Sequence, residues 1–585
     1  MRGIAYRWNE PPARPGPVEP LNAGLEPLTE RVLRSRGFSD ASEARAFLSP
    51  SLAAMHDPAL LPGIDRASER LLDALRAGEP IAIYGDYDVD GITASAILWH
   101  TFRAIAPDAD VRTHIPHRLD DGYGLHAESI ERLADEGARV IVSVDCGITA
   151  IEPARVARAR GIDLIVTDHH NPPSAGDELP EAFEIVHPRL PGSRYPWGEL
   201  CGAGVALKLA WKLACAHEGR ERVSDDMREV LIDCIALAAL GTVADVVPLL
   251  DENRAIVAGG LKRMLGTNIE GLRVLVELCA GQRNGLDAES IGFGIAPRIN
   301  ASGRLGHAEE ALELLTTAHG ARAHEIASML DEQNEQRRRV ERKIFDDACE
   351  MAAGAGMLDD HSRAIVLAHR EWHPGVVGIV CSRLVGKFGR PAILLCDRGE
   401  GVLSGSGRSI DGFNLHAGLG ACAHHLTSFG GHDMAAGLAL EAGNVAAFAE
   451  SFALVASEHI DEQMMLPSLR VDCEAELHEL TPLAIRQLES LGPFGRSNAK
   501  PSIMLRGLSL TQDAEVFGGR GAHLKLTVRS GSDSLRFIGW RWSEQRERLR
   551  AGETIDAIVE PKLNHWNGRS LVEPVLRDAA VRTPV

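Results

Sequence analysis

The 585-residue chain lacks several features that would place it in a special class of protein. It has no apolar run of about 18 residues, the minimum for a membrane-spanning helix. Its first ten residues, M-R-G-I-A-Y-R-W-N-E, do not contain the apolar core of a secretory signal. The ten cysteines form no C-x-x-C pair, so we expect reduced thiols rather than a disulfide framework. These absences together predict a cytoplasmic protein with no membrane association.

An excess of basic residues is also missing. The chain has 82 acidic and 62 basic residues, and its formal net charge is −20. Because phosphate contacts normally require Lys and Arg, this balance argues against a general polyanion binder. From Lys500 to Arg569, however, twelve basic residues face eight acidic ones. Nucleic acid therefore remains possible through local patches, and metal ions would reverse the sign of an acidic cleft.

The most informative stretch is I-A-I-Y-G-D-Y-D-V-D-G at residues 81–91. Its apolar start predicts a buried strand, and Asp86, Asp88 and Asp90 follow at two-residue spacing. On an extended segment these side chains would crowd one side and resist ionisation unless a cation compensates. Carboxylate oxygens suit Mg²⁺ or Mn²⁺. From the motif alone, an acidic turn that caps a helix at 92–104 remains an alternative. An EF-hand calcium loop is disfavoured, because no glutamate occupies the twelfth position counted from Asp86.

Other apolar segments of the sequence also end in acids. They are Val140–Val144 before Asp145, Ile162–Thr167 before Asp168-His169-His170, and a helix-like segment before Asp245. In an open parallel sheet, ligands collect at the carboxyl ends of the strands, so separate acids would converge there. The set as a whole predicts a divalent-metal site.

These motifs carry a resemblance to a known family. D-Y-D-V-D-G, V-D-C-G, D-H-H and T-V-A-D-V-V-P-L resemble the four motifs of the DHH phosphoesterases. The wider pattern, over nearly the whole chain, resembles the bacterial RecJ single-stranded-DNA exonucleases. The resemblance implies two Mn²⁺ or Mg²⁺ ions, with Asp145 between them, held by Asp86, Asp88, Asp145, His169 and Asp245.

The resemblance also implies roles in the reaction. The expected catalytic residues are Asp88, Asp145, His169 and His170. His170 would face the scissile phosphate as a donor or general acid, although a structural histidine is the alternative. Asp90 would lie behind the ligands and orient the loop. Some DHH relatives have a histidine shortly before the first aspartate, where this chain has Tyr84, so the chain departs from that pattern at the first metal position.

The N-terminal half alternates strand-like and helix-like segments, which predicts an α/β domain with a parallel sheet over residues 46–265. The strand-like runs are Ile81–Tyr84, Val111–Ile115, Val140–Val144, Leu164–Thr167 and Ile185–His187. A Pro-rich lead-in, residues 1–45, is expected to pack on this domain. A connector, residues 266–353, is interrupted by G-F-G-I-A-P-R-I-N-A-S-G-R-L-G. It should end in a helix about 50 Å long, or in two helices broken near Asn334.

Residues 354–460 are predicted to form a second, smaller α/β domain. Three glycine-rich stretches, 373–380, 405–409 and 430–437, could bring backbone amides close to a phosphate, and together they resemble the DHHA1 substrate-binding domain. Arginine binds phosphate bidentately. The expected substrate-binding residues are Arg118, Arg298 and Arg304 in the first domain and Ser406, Arg408 and His432 in the second.

The sequence changes to short strands in residues 461–585. His523–Arg529 alternates, and Asn567-Gly568 predicts a hairpin. These strands fit a small barrel, and the family suggests an OB fold, a common binder of single strands. Trp540, Trp542 and Trp566 could stack on bases, although most tryptophans are core residues.

The expected function is two-metal hydrolysis of single-stranded DNA from the 5′ end, in DNA repair and recombination. We expect a monomer, with single-stranded-DNA-binding protein and a helicase as candidate partners. A DHH phosphatase for small substrates would share the metal site but would not need the barrel. An inactive DHH-like scaffold would have lost ligands, whereas every acid and both histidines are present here.

Overall fold

The structure is a computed structural model that describes residues 2–9, 21, 24–118, 121–174, 176–280, 285–306, 308–397, 401–519, 521–566 and 569–582. The chain divides into two compact units. The parallel-sheet unit comprises Ser49–Arg337 together with Gly492–Ala499, and the barrel unit comprises the remaining segments. None of the helices in the described ranges is long and apolar enough to cross a membrane.

The chain begins with elements of the barrel unit, β1 (Arg7–Asn9), α1 (Pro27–Ser35) and α2 (Ala41–Leu48). The parallel-sheet unit then contains α3 (Ile64–Ala77), β2 (Ile81–Tyr84), α4 (Val89–Ile105), β3 (Val111–His114), α5 (Ala127–Asp135), β4 (Val140–Val144), α6 (Ile151–Ala159), β5 (Asp163–Thr167) and β6 (Glu184–Val186). It continues with α7 (Gly202–Glu218), α8 (Asp225–Ala244), α9 (Asp251–Met264), α10 (Glu270–Ala280), α11 (Ala288–Ser290), α12 (Ala296–Leu305) and α13 (Ala308–Thr316).

The five strands β2–β6 form one parallel sheet in the order β3-β2-β4-β5-β6. Alternate residues of β2 point to opposite faces: Ile81 and Ile83 enter a core built with α3, α4, α7 and α8, and Ala82 and Tyr84 enter a core with α5 and α6. Both faces are therefore covered, as a sheet with continuous apolar strands requires. The predicted doubly wound α/β domain is confirmed, and each predicted strand overlaps an observed one.

The helix α14 (Ala321–Gly354) is continuous over 34 residues. Its helix-forming composition predicted this length, and no break occurs at Asn334, which is buried. The interruption predicted earlier in the connector is wrong. Most of that stretch is helical, with a π-helical turn at Ile291–Ile295 followed by α12. Gly292 and Gly294 both lie within the π-helical turn. The backbone stays helical at these positions, so neither glycine ends the helix.

The barrel unit continues with β7 (Ile365–His369), α15 (Pro374–Phe388), β8 (Ala392–Asp397), β9 (Val402–Arg408), α16 (Leu415–Ala421), β10 (Ser428–Gly431), β11 (Ala435–Glu441) and α17 (Val445–His459). Five strands form a mixed sheet in the order β10-β11-β9-β8-β7, in which β7 and β8 are parallel. This is the smaller α/β domain that the sequence predicted.

The last part of the chain forms β12 (Ser468–Arg470), β13 (Cys473–Ala475), α18 (Pro482–Glu489), β14 (Ile503–Leu510), β15 (Glu515–Phe517), β16 (His523–Ser530), β17 (Asp533–Gly539), β18 (Thr554–Glu560), β19 (Leu563–Trp566), β20 (Arg569–Val572) and β21 (Val575–Val581). The strands β14, β18, β21, β17 and β16 pair in a circle that the β14–β16 pairing closes. The predicted barrel is confirmed. β19 and β20 pair as an antiparallel hairpin, and the predicted turn residues, Asn567 and Gly568, lie outside the described residues.

The lead-in does not pack where the sequence predicted. β1 pairs with β12, and the Trp8 indole N–H donates to Asp578 in β21 at 2.7 Å. Arg36 forms a two-bonded ion pair with the buried Asp472, at 3.0 and 3.1 Å. These partners belong to the barrel unit, so the first residues of the chain complete the C-terminal domain. Sequence patterns carry no signal for such a long-range ion pair.

Candidate metal centre

The loop after β2 supplies the first group of acids. Asp88 is the N-cap of α4 and accepts hydrogen bonds from the backbone N–H groups of Asp90 and Gly91, at 2.8 and 3.2 Å. Asp86 is buried, and its Oδ1 atom has no hydrogen-bond partner. The expectation that all three acids lie on an extended segment is wrong, because α4 begins at Val89 and Asp90 lies in its first turn. The Asp88 carboxylate thus caps α4 and still lies close to the ligand atoms of Asp86.

Asp90 lies at the back of the site, against the start of α7. Its carboxylate accepts the N–H groups of Gly202 and Ala203 at the start of α7, at 2.6 and 2.9 Å. The helix dipole favours a negative charge there. Asp90 Oδ2 is also 3.8 Å from His169 Nε2. Gly241 of α8 makes room for this carboxylate, since a methyl group there would lie 2.5 Å from Asp90 Oδ1.

Asp145 follows β4 directly, in the left-handed backbone region with a φ of 63°. The residue is buried, and its Oδ1 atom lacks a hydrogen-bond partner. Gly202 approaches it closely, because a methyl group at Gly202 would lie 2.6 Å from Asp145 Cβ. This crowding from α7 fixes the carboxylate in its position beside His169 Nε2, 3.1 Å away.

The D-H-H motif follows β5, and its aspartate has a different role from the other acids. Asp168 is fully buried and accepts hydrogen bonds from the N–H groups of Ile148, His169 and His170 and from His170 Nδ1, which lies 2.8 Å away. Despite burial, these bonds and the His170 charge lower the pKa of Asp168 to about 2. Asp168 therefore stays ionised and orients both histidines.

Asp245 is the residue that ends α8, and Val246 after it has a φ of 59°. Asp245 Oδ2 lies 3.6 Å from His169 Nε2. The charge of Arg496, in the short Gly492–Ala499 segment of the same unit, acts on this carboxylate. Sequence patterns do not connect Arg496 with the motifs, because it lies in a loop-like stretch of the C-terminal region.

The ligand atoms of these residues form three overlapping groups, each with its atoms within 4.8 Å of one another. The groups are Asp86, Asp88 and Asp145; Asp145, His169 and His170; and Asp90, His169 and Asp245. Buried atoms without hydrogen-bond partners in these groups are Asp86 Oδ1, Asp145 Oδ1 and His169 Nε2. Unpaired buried polar atoms are costly, so this donor set of oxygens and imidazole nitrogen fits divalent cations.

The electrostatics of the site point the same way. Burial, together with repulsion from Asp88, raises the pKa of Asp86 to about 8. Burial and repulsion from Asp90 and Asp88 raise the pKa of Asp245 to about 8. Burial raises the pKa of Asp145 as well, with Asp90 as the leading charged neighbour. Without a cation, these carboxyls hold protons at neutral pH. A bound cation would displace the protons and reverse the rise in pKa.

The two histidines differ in protonation. Burial lowers the pKa of His169 to about 4, so its imidazole is neutral and able to act as a ligand. Burial also disfavours the charge on His170, but the hydrogen bond and charge of Asp168 outweigh it and raise the pKa of His170 to about 8. His170 is half-exposed. It is therefore a protonated group at the mouth of the site.

Two tyrosines flank the metal centre. The hydroxyl of Tyr84 donates to the Gly124 carbonyl at 3.1 Å, and its ring is fully buried. Tyr84 thus belongs to the sheet core. Tyr123 has a half-exposed ring, and its hydroxyl lies 3.0 Å from His170 Nδ1 and 3.2 Å from the Asp145 carbonyl. Sequence reasoning missed Tyr123, although it stands in the I-P-H-R-L-D-D-G-Y-G stretch that contains Arg118.

Two of the predicted arginines lie near the first acids. The Arg118 guanidinium stacks over the Tyr87 ring at 4.8 Å, and the charges of Arg118 and Arg304 both act on the Tyr87 hydroxyl. A methyl group at Gly303 would lie 2.7 Å from the Tyr87 carbonyl, so α12 is tightly packed against this loop. Arg298 differs from them, because it forms an ion pair with Asp331 at 2.8 Å.

The remaining predicted residues lie in the barrel unit. Ser406 and Arg408 are on β9, and both side chains lie 3.3 Å from where a methyl group at Gly378 of α15 would stand. His432 is exposed between β10 and β11. The glycine-rich stretch at 405–409 is not a turn, since residues 405–408 belong to β9. Its residues 405–408 are paired with β8 and β11 on both sides, so the strand ladders use their backbone groups.

Comparison with known proteins identifies the domains. The profile of the DHH family N-terminal domain matches residues 80–241, that of the DHHA1 domain 361–458, and that of the RecJ OB domain 471–578. Single-stranded-DNA-specific exonuclease RecJ of Bacillus subtilis is 38% identical over 95% of this chain and 68% of its own length. The Escherichia coli RecJ is 35% identical over 87% of both chains. The chain belongs to the RecJ family.

Solved structures of the family agree with this assignment. The crystal structure of Thermus thermophilus RecJ in complex with Mn²⁺ matches with a TM-score of 0.82 at 30% identity, over 99% of this chain and 80% of that chain. The corresponding complex with Mg²⁺ matches with a TM-score of 0.75 at 29% identity, over 99% of this chain and 79% of that chain. The sequence-based assignment to RecJ and the α/β-plus-barrel fold are confirmed.

Proposed function

We propose that this protein is a metal-dependent exonuclease that hydrolyses single-stranded DNA from the 5′ end, in DNA repair and recombination. The observation that carries the proposal is the convergence of buried, unpaired ligand atoms from Asp86, Asp145 and His169 in a chain that carries all three RecJ-family domains. Asp88 and Asp245 complete the ligand set. A phosphatase for small substrates has no use for the closed barrel.

The residues have distinct tasks in the reaction. When bound, two divalent cations supply charge stabilisation at the phosphate and make water nucleophilic near neutral pH. Asp86, Asp88, Asp145, His169 and Asp245 would hold them. Asp168 orients His169 and keeps His170 protonated, and His170 donates its proton toward the phosphate or the leaving oxygen. Arg118 and Arg304 bind phosphate near Tyr87, whereas Arg298 supports α12 through Asp331.

The barrel unit supplies further contacts to the strand. Ser406, Arg408 and His432 are proposed to bind phosphates, and the half-exposed Trp540 is proposed to stack on a base. Single-stranded-DNA-binding protein and a helicase are the proposed partners of a monomeric, cytoplasmic enzyme.

Labelled single strands test the activity and its direction. With Mn²⁺, a 5′ label should be released at once as a mononucleotide, while a 3′ label should give a ladder of shortening strands. EDTA should stop both reactions. A ladder from the 5′-labelled strand would reverse the proposed direction, and cleavage of circular single strands would mean an endonuclease.

End recognition gives a second, residue-level test. A charged 5′ phosphate should bind the Arg118 and Arg304 pair more strongly than a 5′ hydroxyl, because charge-assisted hydrogen bonds are about twice as strong as neutral ones. A 5′-phosphorylated strand should therefore be digested faster, and Arg304→Ala should narrow the difference. Arg322→Ala is the matched control, since that arginine lies in the same unit and is paired with Glu313. An unchanged ratio in Arg304→Ala would remove this residue from end recognition.

A further inference from the structure

The loop that carries Asp245 has an unusual backbone. Val246 is β-branched yet adopts a φ of 59°, a region that such residues rarely occupy. Its side chain is 57% exposed, so its own packing does not impose that conformation. Backbone of this kind persists only where the surrounding structure over-determines it. Contacts from elsewhere in the parallel-sheet unit must therefore hold the loop.

One side of the loop is held by a turn that comes from far along the chain, residues 492–499. The Leu249 N–H donates to the Arg496 carbonyl at 2.9 Å, and the Arg496 guanidinium donates to the Val246 carbonyl at 3.3 Å. Gly495 approaches Leu249 so closely that a methyl group would lie 2.7 Å from its Cδ1 atom. The turn thus contacts the loop through hydrogen bonds to its backbone and through close packing against Leu249.

The turn is closed by hydrogen bonds within itself. Gly495 and Asn498 exchange backbone hydrogen bonds at 3.0 and 3.2 Å, and the buried Asn498 side chain donates to the Pro493 carbonyl at 2.9 Å. Ser497 has a φ of 62°, as a tight turn between those two residues requires. Because the turn is closed in this way, a displacement of the turn would also displace the loop that it contacts.

Helix α9 connects the turn and the loop through two neighbouring residues. The Arg254 guanidinium, 2% exposed, donates to the Gly492 carbonyl at 2.7 Å and to the Pro493 carbonyl at 3.4 Å. The fully buried Asn253 donates to the Pro248 carbonyl at 3.0 Å. The loop therefore lies between α9 and the turn, with hydrogen bonds to both.

We propose that Arg254 and the turn at residues 492–499 are positioning elements that fix Asp245 and thereby set the affinity for the ion that Asp245 holds. The inference rests on the ligand set given under the proposed function. Residues that orient metal ligands from outside the coordination shell typically change metal affinity by about 10–100-fold when they are replaced. Arg254 is outside the proposed ligand set, and it acts through Asp245.

The test measures Mn²⁺ binding to the metal-free full-length protein, without DNA, from the electron paramagnetic resonance signal of free Mn²⁺. The parent should bind two ions, and Asp245→Asn should lose or strongly weaken one of them. Arg254→Met should weaken that same ion by about 10–100-fold and leave the other unchanged. Arg263→Met is the control, because Arg263 is on the same helix but is bonded to Asp233, at 2.7 and 3.0 Å. It should lower stability without changing either affinity.

A second variant keeps the test decisive if Arg254→Met does not fold. Gly495→Ala places a methyl group against the buried Leu249, and Gly266→Ala, which meets no atom within 4 Å, is its control. Gly495→Ala should weaken the same ion, and its control should not. Unchanged affinity for both ions in a folded Arg254→Met or Gly495→Ala protein would overturn the inference alone. An unchanged isotherm in Asp245→Asn would instead overturn the ligand set, and the inference with it.

Discussion

At the scale of single residues, the metal centre is a set of buried carboxyls whose ionisation opposes their assembly. The pKa values of Asp86 and Asp245 rise from the ordinary 3.8 to about 8 in the folded, metal-free chain. Between about pH 4 and pH 8 the folded state therefore holds protons that the unfolded chain has released. The contribution of these groups to stability is fully present below about pH 4 and is lost as the pH rises toward 8.

The first prediction follows from this sign. Mn²⁺ replaces those protons, so the increase in melting temperature on adding Mn²⁺ should be larger at about pH 8 than at about pH 6. Calorimetric scans with EDTA and with excess Mn²⁺ at each pH measure the increase. Asp145→Asn, which should bind the ions poorly, serves as the control. A metal-induced shift that does not depend on pH would mean that the carboxyls are already ionised.

The second prediction concerns Asp145. Its replacement by Asn retains the left-handed backbone that the residue adopts, because Asn tolerates that region better than most residues. Hydrolysis should fall by more than about 100-fold, exceeding the usual effect of residues outside the coordination shell. The metal-free variant should be at least as stable as the parent, since one buried, repelled carboxyl is gone. Chemical denaturation and single-strand digestion measure the two effects. Substantial hydrolysis by the folded variant would remove Asp145 from the ligand set.

Some residue roles could not be predicted, for a definite reason. Asp168 and Asp145 both follow a buried strand directly, and no local pattern separates them. Only the structure shows that Asp168 is surrounded by donors whereas Asp145 has an oxygen without one. Arg298 resembled Arg304 in the same motif, yet its guanidinium is paired with Asp331 from α14. Partners supplied from distant segments decide these roles.

At the scale of elements, apolar continuity was the reliable signal. The strands β2, β4 and β5 are mostly apolar because a parallel sheet covered on both faces buries nearly all of their residues; Asp163 at the start of β5 is the exception. Glycine was the misleading signal. Gly405 lies in the middle of β9, where a methyl group would lie 2.1 Å from the Leu394 carbonyl. A close approach of two backbones selects glycine there, and a turn would show the same composition.

The third prediction concerns Trp540, which follows β17 and lies against residues of β15 and β16. Trp540 is 52% exposed, and its ring lies 4.8 Å from His523 and 5.8 Å from Phe517, over which Lys525 is placed at 4.8 Å. This exposed aromatic cluster offers a base-stacking surface. Trp540→Ala should weaken binding of a long single strand by about 1–3 kcal/mol, and Trp540→Phe should weaken it less.

Fluorescence anisotropy on an Asp145→Asn background, which prevents digestion, measures this affinity. A strand too short to reach beyond the metal centre should bind equally well to both proteins. If Trp540→Ala binds the long strand as tightly as its parent, the cluster is not a stacking surface. In that case Trp542 would not serve as the stacking residue instead, because it is half-buried and packed against Gly539.

At the scale of the whole molecule, the linear order of domains is a poor guide to which segments fold together. The lead-in completes the barrel unit through Trp8 and Arg36, and residues 492–499 belong to the parallel-sheet unit. In the linear order of domains, truncation near residue 460 would remove only segments that follow the metal-binding motifs. In the structure, however, that truncation removes the turn bonded to the Asp245 loop. Point substitutions are therefore the cleaner probes of the barrel.

The final prediction uses the charge of the whole chain. A net charge of −20 permits only local contacts with DNA, and the candidate cations are Arg118, Arg304, Arg408 and Lys525. For single strands, the logarithm of the binding constant falls with the logarithm of salt concentration by about 0.7 per phosphate contact. Four contacts give a slope of about −3, which is shallow for a DNA-binding protein. Replacing Arg118 with Gln should make the slope less steep by about 0.7.

The slope is measured from anisotropy titrations of Asp145→Asn protein in EDTA, over a range of NaCl concentrations. EDTA excludes competition from divalent cations, which would also lower the apparent slope. Arg112→Gln is the matched control, because that arginine is paired with Asp110 on the same stretch of chain. It should leave the slope unchanged. A slope of about −5 or steeper would require basic contacts beyond these four, and the excess of cations between Lys500 and Arg569 is where they would be sought.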